Sequence, residues 1–249
     1  MKLTVIGSLG GYPHEDRGTT SFLLQSEKGF NLLMDCGSRA VTSLEHYLSP
    51  LELDAVILSH YHHDHIADLG VLQYYRQLWP KDEKWQGKIL DIYGHQEDEF
   101  HFNDLTLANV SIGHAYNPDE GVSIGPFDIT FMRTVHPVIC YAMRIIERST
   151  GKILVFTGDS GYMEEFNEFA KDADVFLADT YLFKGNEKHH AHFTSLEAGE
   201  IAKIANVKKL LLTHLPQHGD WSLLKSQAQE AAGETVLVGL AEQGNVYVI

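Results

Sequence analysis

His60-Tyr61-His62-His63-Asp64-His65 sets four histidines and one aspartate within six residues. Residues 54–59 (Asp-Ala-Val-Ile-Leu-Ser) lead into it, a short apolar run of the kind that makes a buried strand. In an extended segment leaving a strand, positions i and i+2 point the same way, so His60 and His62 can face one ion. Asp64 and His65 follow where the chain turns into a helix. Their changed direction lets them face a second ion beside the first. Imidazole nitrogen and carboxylate oxygen both suit zinc-like cations. The two-residue rhythm turns His63 away, and it reads as a passenger.

Outward from this loop, strands and helices interleave. Residues 2–7 predict a strand, and 20–25 with 30–35 a hairpin about 26–29. Residues 66–79 have helical spacing, with Leu69, Leu72, Tyr75 and Leu78 on one stripe. The stretch 81–128 is polar and punctuated by Gly and Pro, with a strand near 89–93. A second half echoes the first. Strands are expected at 127–134, 142–147, 152–157, 175–179, 210–213, 236–238 and 246–249. Helices are expected at 163–170 and at 195–205, the latter with Leu196, Ile201 and Ile204 inward. This alternation argues α/β layers. Three apolar strands deliver a His or Asp at their carboxyl ends: the histidine loop, Asp159 and His214. Active sites of α/β sheets gather at such ends.

Composition narrows the class. The chain has 249 residues, 44% hydrophobic and 21% charged, enough for a sizeable core without staples. Only Cys36 and Cys140 are present, which excludes a disulfide scaffold and points to the cytoplasm. The apolar run 2–7 is too short for a signal-peptide core, and no run reaches membrane-spanning length. A net charge of −15, from 34 acids and 19 bases, argues against gripping long nucleic acid, which needs a basic face. A small-molecule substrate is expected, with no membrane partner. Fifteen dispersed histidines point to metal rather than to a purification tag.

The loop resembles the His-x-His-x-Asp-His signature of the metallo-β-lactamase superfamily. That resemblance implies a four-layer αβ/βα sandwich: one domain over 1–249, in two similar halves of roughly 1–125 and 126–249. The family's other motifs match in turn. Asp35, in Leu32-Leu33-Met34-Asp35-Cys36-Gly37, corresponds to the acid that supports the ligand loop. His136, in Thr134-Val135-His136-Pro137, corresponds to a third histidine. Asp159, in Thr157-Gly158-Asp159-Ser160, corresponds to a bridging aspartate, and His214, in Leu212-Thr213-His214-Leu215, to a last histidine. Carried over, His60, His62 and His136 hold one metal. Asp64, His65 and His214 hold the other, and Asp159 bridges. The implied cofactors are two divalent ions per chain, zinc first, with manganese or iron as alternatives.

The segment His189-His190-Ala191-His192-Phe193-Thr194-Ser195 resembles the His-Ser/Met-Thr segment of the ribonuclease Z-like phosphodiesterase branch. There a histidine outside the ligand set sits over the metals. His192 matches by position, although Phe193 replaces the usual middle residue. His190 is the weaker alternative. Thr194 and Glu197 also form a capping-box pattern, so the segment opens a helix as well. The implied reaction is attack of a metal-bridging hydroxide on a phosphodiester, with His192 and Asp64 as the catalytic pair. Ribonuclease Z enzymes insert a tRNA-clamping arm between the third histidine and the bridging aspartate. Here that interval is 23 residues, room for strand–turn–strand only. A cyclic or short nucleotide-like phosphodiester is therefore the expected substrate.

The rival enzyme class is an acyl hydrolase acting on thioesters, lactones or lactams. The rival outside enzymes is a non-catalytic metal-binding protein, which the filled ligand positions disfavour. Gly10 and Gly11 read as an ordinary turn, or as amides approaching phosphate. Tyr141 and Arg144 read as strand residues, with Arg144 meeting phosphate as the alternative. His218 and Trp221 are rim candidates. His14, His46, His95, His101 and His114 read as surface residues. A homodimer is compatible with the family, but no patch in the sequence marks one.

Overall fold

The computed structural model describes residues 1–80 and 87–249; positions 81–86, the start of the polar stretch, lie outside the described residues. The chain opens with an antiparallel meander of β1 (Lys2–Gly7), β2 (Ser21–Gln25) and β3 (Asn31–Met34). It continues through α1 (Ala40–Leu44), a 3₁₀ turn at Pro50–Glu52, β4 (Ala55–Ile57), α2 (His63–Ile66) and α3 (Leu69–Leu78). Then come β5 (Leu90–Gly94), α4 (Glu99–Asn103) and β6 (Ser111–Ala115). From β3 to β6 each strand pairs parallel with the next.

The second sheet mirrors this order. β7 (Val122–Ile124), β8 (Phe127–Arg133), β9 (Tyr141–Glu147) and β10 (Ile153–Phe156) pair antiparallel. β11 (Val175–Asp179), β12 (Lys209–Thr213) and β13 (Leu237–Leu240) extend it in parallel. α5 (Phe166–Phe169), α6 (Ser195–Ile204) and α7 (Trp221–Ala232) cover its outer face, and β14 (Val246–Val248) returns to pair with β1. Among the described residues this gives two sheets of seven strands, β14-β1-β2-β3-β4-β5-β6 and β13-β12-β11-β10-β9-β8-β7.

Three apolar clusters define the layers. Leu3, Phe22, Leu32, Met34 and Ile57 meet Phe127, Met143, Leu154, Phe156 and Leu177 between the sheets. Phe22 and Phe156 contact edge to face at 5.5 Å, a geometry that contributes about 0.5–1.5 kcal/mol beyond area burial. Ile6, Leu33, Val56 and Ile92 pack under Val41, Leu69 and Leu72 on one outer side. Phe176, Leu210 and Leu212 pack under Phe166, Ile201, Leu224 and Ala228 on the other. The result is a helix–sheet–sheet–helix sandwich.

Two sequence expectations need correction. The helix expected over 66–79 is divided at Ala67 and Asp68, and its stripe does not end on Leu78, which is 74% exposed. The buried face of α3 instead takes Leu69, Leu72, Gln73 and Arg76. Arg76 sits in it because its guanidinium donates to the Pro50, Leu51 and Lys88 carbonyls. On α6, Ile201 is buried, but Ile204 is 62% exposed and small Ala198 and Ala202 fill its inward face.

Candidate metal centre

Both sheets present the carboxyl ends of their parallel strands to one edge, and the histidine loop leaves β4 there. Asp35, just past β3, holds that loop from beneath. Its Oδ1 accepts from Ser59 N at 2.7 Å, and its Oδ2 meets Ser59 Oγ at 2.8 Å and His65 Nδ1 at 2.7 Å. Ser59 Oγ in turn lies 3.0 Å from His60 Nδ1. One buried carboxylate thereby orients two rings and frees their Nε2 atoms. Asp35 sits at φ 55°, a conformation that costs a non-glycine residue energy and tends to persist where a site requires it.

Two groups of four side chains face the edge: His60, His62, His136 and Asp159, and Asp64, His65, Asp159 and His214. Asp159 belongs to both. In the first group His62 Nδ1 lies 3.2 Å from His60 Nε2 and 3.0 Å from His136 Nε2; Asp159 Oδ2 is 3.8 Å from both Nε2 atoms. In the second, His65 Nε2 is 3.5 Å from Asp64 Oδ2 and 3.2 Å from Asp159 Oδ1. His214 Nε2 is 3.1 Å and 3.3 Å from Oδ2 of the same two acids. Atoms bound at about 2.0–2.1 Å around a tetrahedral ion stand roughly 3.4 Å apart, so both groups have the spacing of a cation's donor set.

The polar bookkeeping agrees. His65 Nε2 and Asp159 Oδ1 are buried, face the cluster and lack a hydrogen-bond partner, which native interiors seldom allow unless an ion or water answers them. The residues therefore fit a divalent cation. Burial, with the neighbouring histidines, holds His60 well below the usual histidine range, and burial takes His136 down to about 4. Burial opposes charge on Asp159 as well, but His214 and His65 outweigh it and keep that carboxyl well below its ordinary range. His214 is pushed up to about 10, because Asp159 and Asp179 override its burial.

His192 stands at the rim, its ring stacked 5.1 Å from His214 and edge-on to His136 at 5.6 Å. Its Nδ1 meets Asp179 Oδ2 at 2.8 Å. Asp179 ends β11, is fully buried, accepts from the Ser160 and Tyr181 amides, and lies 3.5 Å from His214 Nδ1. In the sequence it reads only as the end of a strand. A signal is there all the same: an acid closing an apolar strand that neighbours the one leading to Asp159. Tyr181, 5.3 Å from the His192 ring, carries no such signal.

Backbone completes the pocket. Gly10 lies so close to His214 that a Cβ there would come within 2.5 Å of its ring, and Gly11 N donates to Asp64 Oδ2 at 2.7 Å. The two glycines thus seat ligand-type side chains, beyond an ordinary turn. His63 is exposed, as is His190. Arg144 is tied to the Phe169 and Lys171 carbonyls, away from the site. His218 contacts His14 at 5.3 Å, and Trp221 carries Arg17 over its ring. His95 is not a surface residue: it is 2% exposed, against Tyr61.

This is the architecture of a metal-dependent hydrolase. The chain belongs to the metallo-β-lactamase superfamily, its residues 31–215 matching the beta-lactamase superfamily domain. It is 44% identical to the probable metallo-hydrolase YhfI of Bacillus subtilis over 99% of both chains. The crystal structure of that metallo-beta-lactamase fold protein superposes with a TM-score of 0.92, at 41% identity over 99% of this chain and 98% of that one. Ribonuclease Z of Bacillus cereus is 25% identical over 93% of this chain and 94% of its own, in keeping with the ribonuclease Z-like branch. Human tRNase Z, short form, shares the fold with a TM-score of 0.77 at 22% identity, covering 100% of this chain and 99% of that one. Between His136 and Asp159 this chain holds only β9, β10 and their turns. Among the described residues no helix is long and apolar enough to cross a membrane.

Proposed function

We propose that this chain is a phosphodiesterase for a small, cyclic or short nucleotide-like phosphodiester, working with two divalent cations, zinc first among them. His60, His62 and His136 would hold one cation, Asp64, His65 and His214 the other, and Asp159 both. The observation that carries this reading is the pair of donor groups sharing Asp159, with His192 tethered by Asp179 at their rim. Two such cations supply charge that neutralises phosphodiester oxygens and makes a water acidic enough to ionise near neutral pH.

The chain's own groups do the rest. Burial disfavours charge on His192, but Asp179 overrides it and raises its proton affinity above that of an ordinary histidine. With Nδ1 tied to Asp179, Nε2 is the atom left to donate a proton to the leaving oxygen. Asp64 Oδ2 is engaged by Gly11 and His214, which leaves Oδ1 to accept a proton from the attacking water. Asp35 keeps the histidine loop in register. The net charge of −15 supports a small substrate over a long polyanion, and two buried free thiols suit a reducing compartment such as the cytoplasm.

The test pairs metal analysis of the purified protein with turnover of bis(p-nitrophenyl) phosphate, a thioester and a lactam. About two metals per chain and phosphodiester turnover are expected. Thioester turnover without phosphodiester turnover would reverse the assignment to an acyl hydrolase, and metal below one per chain would favour a binding protein.

A further inference from the structure

Beside the histidine loop lies a cavity of about 620 Å³ that the reaction outlined above does not use. His62 lines it, so it opens directly on the first donor group. Tyr61 and His101 stack at 5.6 Å to form an aromatic wall, and the Tyr61 hydroxyl donates to the His95 carbonyl at 2.6 Å. Pro137, Val138 and Ile139, immediately after His136, supply an apolar wall. This size and lining suit a flat organic ring.

Besides its histidines, the ionisable groups of the cavity are dominated by acids. Glu97, Asp98 and Glu99 line the cavity, and among the described residues no Lys or Arg does. Arg133 and Tyr141 engage Glu97, and His101 engages Asp98. Glu99 makes no side-chain hydrogen bond among the described residues and is open to a ligand. His95 is 2% exposed and neither ring nitrogen has a hydrogen-bond partner; the Ile139 backbone sits beside the ring without reaching bonding geometry. A neutral imidazole offers one donor and one acceptor, and a buried pair left unanswered is costly. A second phosphate would meet three carboxylates here and no Lys or Arg among the described residues. A ring carrying N–H donors would meet acceptors.

Resting on the phosphodiesterase reading, we infer that this cavity is a recognition subsite for a nucleobase bearing an exocyclic amino group, attached to the phosphodiester held at the metals. The amino group donates to Glu99, and the ring edge answers His95. The subsite makes the substrate a nucleotide of adenine, cytosine or guanine type, as against uracil or hypoxanthine, and disfavours a polyphosphate on this side.

The probes are AMP against IMP and CMP against UMP, pairs in which an amino group becomes a carbonyl. Their binding to the metal-loaded full chain is measured by calorimetry, with bis(p-nitrophenyl) phosphate turnover followed in parallel. AMP and CMP are expected to bind about tenfold or more tighter than IMP and UMP, the scale of one hydrogen bond to a charged group. Glu99→Lys should erase or invert that preference. Because His95 is buried and its variants risk misfolding, Val138→Trp, at a position 40% exposed, is the second probe. Filling the cavity should weaken AMP and CMP by about tenfold relative to any change in bis(p-nitrophenyl) phosphate turnover. Equal binding within each pair, no binding of AMP or CMP, or AMP affinity untouched by Val138→Trp would overturn the subsite. Absence of bis(p-nitrophenyl) phosphate turnover in the wild type would instead overturn the reading beneath it.

Discussion

Asp179 touches two histidines with its two oxygens, His192 through one and His214 through the other. Its charge raises the proton affinity of His192 against burial, so the proton is present below that raised pKa and lost as pH climbs through it. Asp179→Asn removes the charge and leaves burial, which pulls the pKa down. The alkaline limb of kcat/KM should therefore move to lower pH, while His192→Ala should lower turnover by about 100-fold or more with metal content near wild type. An unmoved limb in Asp179→Asn, or unchanged turnover in His192→Ala, would remove His192 from the reaction. Gly10 offers a purely steric test. A methyl group there meets the His214 ring at 2.5 Å, so Gly10→Ala should shed metal by elemental analysis while far-ultraviolet circular dichroism stays that of the wild type. Wild-type metal content in that variant would show that the ring has room to shift.

At the scale of elements, Arg76 ties α3 to two segments of the chain that flank it in sequence. Arg76 spans from the helix to Pro50 and Leu51 in the 3₁₀ turn and to Lys88 ahead of β5. Replacing it with Met should leave buried carbonyls unanswered and cost about 2–4 kcal/mol, read as a lower urea midpoint. Arg76→Lys should recover only part of it, since a point charge cannot fork to three acceptors. The same helix shows where sequence reading succeeds and fails. Apolar spacing locates α3, β4, β10, β11 and β12, because an apolar run between polar turns must be buried and apolar residues at helical period fit one face of a helix. It misassigns Leu78 and Ile204, since a stripe extrapolated by periodicity cannot know where the neighbouring layer ends. It misses α7, whose inward positions Leu224, Ala228 and Ala232 are mostly too small to stand out against Ser, Gln and Glu. The histidine loop, His136, Asp159 and His214 are legible as motifs. Asp179 and His95 are not, because their meaning comes from residues brought beside them by the fold: His192 for the first, Tyr61 and Ile139 for the second.

At the scale of the whole molecule, the candidate site is shared between the sheets. His60, His62, Asp64 and His65 follow β4 in the first, whereas His136, Asp159 and His214 follow β8, β10 and β12 in the second. A cation bound here would link the halves across their common core. A ligand present at 100 times its Kd stabilises the native state by about 2.7 kcal/mol. Chelation should thus lower Tm by roughly 5–10 °C for a chain of this size, and re-addition of zinc should restore it. A Tm indifferent to chelator, in protein shown to be stripped of metal, would mean that the cluster is stable without an ion.

The antiparallel ladder of β1 and β14 pairs Lys2 with Val248, Leu3 with Tyr247 and Thr4 with Val246. On the ribosome β1 emerges long before β14, its partner in this ladder. The outer edge of β1 therefore stays open until β14 has been made, its backbone amides and carbonyls offered to any other extended segment nearby. Closing so long a loop adds little free energy, because each doubling of loop length costs only about 0.6 kcal/mol. A chain stalled before β14 is made ends that side of the sheet on the six-residue β1, where the folded chain ends it on the three-residue β14, so the stalled form offers a neighbour the longer edge.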